Sequence, residues 1–98
     1  MEIEFHDDDL DRLETDAEYR AGYAKEIVKA YRKRIQAIRA AHDERDLYAV
    51  KGNHFEKLKG DRAHQHSLRI NEKWRLIVEI KESNPKNIIV VKSIEDYH

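Results

Sequence analysis

The apolar side chains of this 98-residue chain change their spacing near residue 50, and that switch limits the fold more than any other feature. Before it, Tyr23, Ile27, Tyr31, Ile35 and Ile38 recur at steps of four and three, with Ala24, Val28, Ala37 and Ala41 widening the stripe. Such spacing predicts one amphipathic helix from about residue 23 to about residue 42. After the switch the apolar residues alternate. Leu68 and Ile70 oppose Ser67, Arg69 and Asn71, while Trp74, Leu76, Val78 and Ile80 oppose Arg75, Ile77, Glu79 and Lys81. Asn71-Glu72-Lys73 and Ser83-Asn84-Pro85-Lys86-Asn87 read as turns, with a further strand from Ile88 to Ile94. His54 to Lys59 reads as another strand, ending at the Gly60-Asp61 turn. Upstream, Ile3 and Phe5 suggest a short first strand, and Asp7, Asp8 and Asp9 before Leu10 and Leu13 suggest a capped short helix. Helices followed by hairpin-linked strands argue for an α+β domain, its N-terminal helices packed on one face of a twisted antiparallel sheet.

The length suits one domain, residues 1–98, with a core able to fold alone. The absence of Cys excludes disulfides and thiolate metal sites and fits a reducing cytosol. No apolar run approaches the ~20 residues that span a bilayer, and the N-terminus lacks the pattern of a signal peptide, so a cytoplasmic protein is expected. The formal net charge of -1 conceals an asymmetry. Residues 1–20 hold nine acidic and two basic side chains, whereas residues 51–75 hold seven basic and three acidic. A basic middle is one footprint of a polyanion partner, but an acidic front could equally fold against it.

Alternation makes a specific statement about those cations. If Leu58, Leu68, Leu76 and Val78 face the helix, then Lys57, Lys59, Arg69 and Arg75 face the other way, joined by Arg62 from the turn. Like charges so gathered destabilise a sheet. An anionic ligand accounts for them better than folding does. The chain then ends Glu95-Asp96-Tyr97-His98, directly after the last strand. A polar tail there is ordinary, yet a carboxylate, a phenol and an imidazole beside a cationic face suit cleavage of an RNA phosphodiester. Attack by the 2′-hydroxyl needs a base, an acid for the leaving 5′-oxygen, and a cation for the charge that grows on phosphate. Histidine, with an ordinary pKa of ~6.5, serves as either proton carrier. No metal or other cofactor is required, and His54, His64, His66 and His98 lack the spacing of a ligand set.

The stretch Gly52-Asn53-His54-Phe55-Glu56-Lys57-Leu58-Lys59-Gly60-Asp61-Arg62, then His66-Ser67-Leu68-Arg69-Ile70-Asn71, Trp74-Arg75-Leu76 and the terminal Asp96-Tyr97-His98, resembles the HigB-like toxins. These are the proteic killer branch of the RelE/ParE superfamily of bacterial toxin–antitoxin systems. The resemblance covers about half the chain. It implies a RelE-like fold and metal-independent, ribosome-dependent cleavage of messenger RNA in the A site. It also implies a HigA-like helix-turn-helix antitoxin, which alone would contact operator DNA. Carried over by position, His98, Tyr97 and Asp96 form the catalytic ending and Arg75 sits beside the scissile phosphate. Lys57, Lys59, Arg62 and Arg69 line the RNA surface, and His54 is a further phosphate contact. Two departures stand out: such toxins are usually basic whereas this chain has a pI near 6.6, and residues 7–22 match the family poorly. A ParE-like gyrase poison and a catalytically silent antitoxin-binding module are the competing readings.

Overall fold

A computed structural model describes residues 1–96. A strand β1 (Glu2–Phe5) leads into helix α1 (Asp8–Thr15), and the long helix α2 (Lys25–Ala40) is followed by a short α3 (Glu44–Ala49). The remaining strands are β2 (Glu56–Lys57), β3 (Gln65–Arg69), β4 (Trp74–Lys81) and β5 (Ile88–Asp96). They form one sheet in the order β1-β5-β4-β3-β2. Neighbours from β5 to β2 are antiparallel, while β1 joins β5 in parallel, pairing Ile3 with Ile89 and Phe5 with Val91. The fold is therefore α+β with a mixed sheet.

Each helix has a local cause. The Asp7 carboxylate accepts the Leu10 backbone N–H at 3.0 Å, with Asp8, Asp9 and Asp11 in the first turn of α1. This placement satisfies an orphan donor and favours the helix dipole. The apolar stripe of α2 goes where its period requires: Tyr31, Ile35 and Ile38 are wholly buried, packed with Leu13, Leu68, Leu76, Val78, Ile89 and Val91. Each such side chain contributes about 1.5–3 kcal/mol by leaving water. Tyr31 also donates its hydroxyl to the Leu10 carbonyl at 2.7 Å, fastening α1 to α2. Part of the acidic front does fold against basic residues, since Arg39 grips Glu14 with two hydrogen bonds of 2.7 and 2.6 Å.

The sheet has one irregularity of consequence. Ile77 pairs with Ser93 but Val78 pairs with Val91, so Lys92 opposes no residue on β4. This bulge reverses the parity of β5. Val91 and Ile94 both stay buried, three residues apart, and Ser93 and Glu95 turn to the outer face with Ile77 and Arg75.

Candidate functional site

The outer face of the sheet, away from α2, carries Lys59, Arg62, Arg69 and Arg75, four of the five cations singled out in the sequence. Arg69 and Arg75 are direct cross-strand partners, and Glu95 stands opposite Arg75 on its other side. The next row is Ser67, Ile77 and Ser93. Between these rows lies a depression of about 270 Å³ lined by Leu58, Lys59, Arg62, Ser67, Arg75, Ile77, Glu95 and Asp96. Ile77 is buried yet stands outside the helix-side core, giving the depression an apolar floor. A larger groove, about 680 Å³, lies on the far surface of α2 and shares none of these residues.

Arg62 reaches the depression from the turn Gly60–Arg62, where Gly60 adopts a φ of 65° that a side chain would strain. Its two terminal nitrogens each donate to Glu95 at 2.8 Å, and its Nε donates to Gln65 Oε1 at 2.9 Å. Ser93 adds a third donor to Glu95 at 2.8 Å. The Arg62 fork, more than any other neighbour, holds the Glu95 carboxyl below the usual carboxylate range. Arg75 Nη1 donates to the carbonyls of Asn71 at 2.6 Å and Trp74 at 3.1 Å. The turn it leans on is itself fixed, because Asn71 Oδ1 accepts the backbone N–H groups of Lys73 and Trp74. Lys73 Nζ lies 3.6 Å from Asp96. Behind Arg69, Arg34 of α2 donates to the Arg69 carbonyl at 2.6 Å and to Gly52 at 3.1 Å. Burial, and then the Arg69 charge, push the Arg34 pKa down.

The structure thus brings Lys59, Arg62, Arg75 and Asp96 to one depression, with Arg69 beside it on the same face. Lys57 is a correction. It pairs with His66, whose other neighbour is the buried Val78, so it faces the helix side of the edge strand. Leu58, expected in the core, lines the outer depression instead. The reason is that β2 is only two residues long and stops before a parity can extend from it. His54 is exposed in the left-handed conformation, φ 44°, and does not line the depression. Tyr97 and His98 lie outside the described residues.

Two features escaped sequence reasoning. The face is not purely cationic, because Glu95 stands among the guanidinium groups, brought there by the bulge at Lys92. The signal was present: Val91 and Ile94 are spaced by three, not two. His66 is half-buried, stacked on Phe55 with ring centroids 4.8 Å apart and bonded through Nε2 to the Tyr48 hydroxyl. Burial, with Lys57 adding, pushes its pKa down.

Residues 3–98 match the family described as the RelE-like toxin of type II toxin–antitoxin system HigB. The chain belongs to the HigB-like toxins. Among solved structures it is similar to a YoeB/ParE toxin from Agrobacterium tumefaciens, with a TM-score of 0.57 and 20% identity over all of both chains. That likeness concerns the fold. No curated protein matches the chain. Membership in a type II family implies an antitoxin partner. No helix among the described residues of this HigB-like toxin is long and apolar enough to cross a membrane.

Proposed function

We propose that this HigB-like toxin is a ribosome-dependent endoribonuclease that cuts messenger RNA in the A site without a metal. One observation supports it most: Arg75 of β4, Arg62 of the turn and Lys59 just before that turn line one depression with Asp96, the residue before Tyr97 and His98. In this reading Arg75 stands beside the scissile phosphate and stabilises the charge that develops on its oxygens. His98 moves the proton between the 2′-hydroxyl and the leaving 5′-oxygen, and Asp96 orients that imidazole. Tyr97 donates to the phosphate or stacks on a splayed base, with Ile77 and Leu58 offering an apolar surface to its neighbour. Lys59, Arg62 and Arg69 hold the flanking phosphates. The partner is a HigA-like helix-turn-helix antitoxin, and the site of action is the cytoplasm.

The test is induction of the toxin alone with mapping of new messenger RNA 5′ ends. In-frame cuts within translated codons are expected, and His98→Ala should remove them while the thermal melt stays unchanged. If His98→Ala still produced those ends, the catalytic assignment would be wrong. The competing reading is a ParE-like gyrase poison. DNA damage on induction, with messenger RNA ends unaltered, would decide for it.

A further inference from the structure

The groove on the outer surface of α2 has the opposite character from a structural seam. Lys25, Lys29 and Lys33 occupy one row at steps of four residues, all exposed, and all line the groove with Arg20 and Arg32. Among the described residues none of these three lysines has a carboxylate within 4.0 Å. Like charges four apart on a helix destabilise it. Arg32 is held as a fixed cation by backbone carbonyls alone, those of Leu13 at 2.8 Å, Asp16 at 2.9 Å and Tyr19 at 3.4 Å. The nearby acid is already engaged, since the Asp16 carboxylate accepts from Arg12 at 3.3 Å and from the Glu18 backbone at 3.0 Å. Among the described residues Glu18 is the sole acidic one in the groove wall.

We infer that this groove docks an acidic helical segment of a protein partner, with carboxylates at every fourth position facing Lys25, Lys29 and Lys33. The lysine row advances about 6 Å per step along the helix axis. Carboxylates at i, i+4 and i+8 of a second helix advance by the same amount, so a helix laid along the groove pairs all three. Nucleic acid fits less well for two reasons. Among the described residues no aromatic side chain lines the groove to stack a base. Glu18 repels a ligand charged at every step, whereas a peptide can leave the position facing it neutral. The groove opens away from the sheet, so this docking is independent of whether the outer sheet face cuts RNA.

The experiment titrates the full chain, labelled with nitrogen-15, with a synthetic helix of about four turns bearing Glu at every fourth position. A control peptide has the same composition with its glutamates scattered around the helix, and a short single-stranded RNA is the third probe. The amide signals of residues 17–36 should move with the patterned peptide, and the scattered control should bind about fivefold more weakly or worse. Lys29→Glu with Lys33→Glu should weaken the patterned peptide about tenfold or more. The neutral pair Lys29→Gln with Lys33→Gln, which preserves helix propensity, should weaken it by a smaller factor. Equal binding of both peptides, or indifference to the lysine changes, would overturn the inference. So would RNA that binds more tightly than the peptide through the same lysines, which would make this a nucleic-acid surface.

Discussion

Replacing Glu95 by Gln should strengthen the hold of this face on RNA. The Arg62 fork is closed on that carboxylate by two hydrogen bonds of 2.8 Å, yet both side chains are partly exposed, 45% and 39%. An exposed pair is worth about 1 kcal/mol at most, so the fork can be opened at little expense. The larger effect is repulsion. A phosphate bound over Arg75 would sit about 6 Å from the Glu95 carboxylate, costing about 0.7 kcal/mol at the dielectric of water and about 2.8 kcal/mol at an effective value of 20. The exposure of the site favours the lower end. Glu95→Gln should therefore tighten binding of a short RNA by about three- to tenfold, read by fluorescence anisotropy at low salt. The RNA should carry 2′-O-methyl sugars so that it cannot be cut. Arg62→Ala should weaken binding, and the double variant should fall short of the sum because the two groups are coupled. Unchanged or weaker binding by Glu95→Gln would refute the argument. It would mean that RNA does not lie over Arg75, or that Glu95 itself positions a cation the RNA requires.

Three further outcomes follow from the packing. Tyr31→Phe leaves the Leu10 carbonyl without its 2.7 Å donor in a wholly buried place, and should cost about 1–2 kcal/mol, lowering the thermal midpoint by several degrees; an unchanged midpoint would show that the carbonyl finds another donor. Arg34→Met keeps the apolar stem but removes the donors to the Arg69 and Gly52 carbonyls, and should cost about 2 kcal/mol by chemical denaturation; a neutral result would show that solvent reaches both. His66 has its pKa pushed below the ordinary 6.5, so the unfolded chain takes up the proton first as pH falls. The stability it contributes is complete above that ordinary value and is lost as pH falls through the folded one. Thermal midpoints measured from about pH 7.5 to about pH 5 should decline in the native chain and decline less in His66→Phe. Glu95, whose carboxyl is held low by Arg62, acts only in a more acidic window, so the two contributions separate. Equal slopes in both proteins would assign the decline elsewhere.

What the sequence makes legible depends on how long a pattern runs. β4 spans eight residues, Trp74–Lys81, so its inner and outer faces follow from alternation and place Arg75 correctly. The stripe of α2 spans four turns and is as plain. β2 is the opposite case. Two paired residues between His54 in a left-handed conformation and Gly60 in another cannot carry a parity, and Lys57 and Leu58 were assigned to the wrong faces. β1 presents only Ile3 and Phe5 to the interior, which identifies a strand but not its parallel partner 86 residues away. α3 buries a single large residue, Leu47, and one apolar residue makes no period. At β5 the apolar run identifies a strand, Ile88 to Ile94, without assigning its faces. The skipped step between Val91 and Ile94 is the bulge, and the bulge is what sends Glu95 to the outer face of the sheet.

The near-neutral pI does not count against a polyanion-binding face once the charges are placed. Acidic residues of the front cap α1 and pair with α2, where Asp7 holds Leu10 and Glu14 holds Arg39. Apart from Glu2 and Glu4, which stand on the outer face of the edge strand β1 with Glu4 3.4 Å from Lys81, they belong to the helix layer, separated from the outer sheet face by the thickness of the sheet and its core, roughly 10 Å. At physiological salt the field of an exposed charge is screened over about 8 Å, so those carboxylates contribute little at the depression. Among the described residues the local field is set by Lys59, Arg62, Arg69, Lys73 and Arg75 against Glu95 and Asp96. Net charge governs how the whole molecule approaches a distant polyanion, and here it gives no attraction. The toxin should accordingly reach the ribosome slowly but hold RNA locally. Association rates that vary weakly with salt, beside dissociation rates that rise steeply, would mark that behaviour; a steep salt dependence of association would show that the acidic front does not offset the basic face.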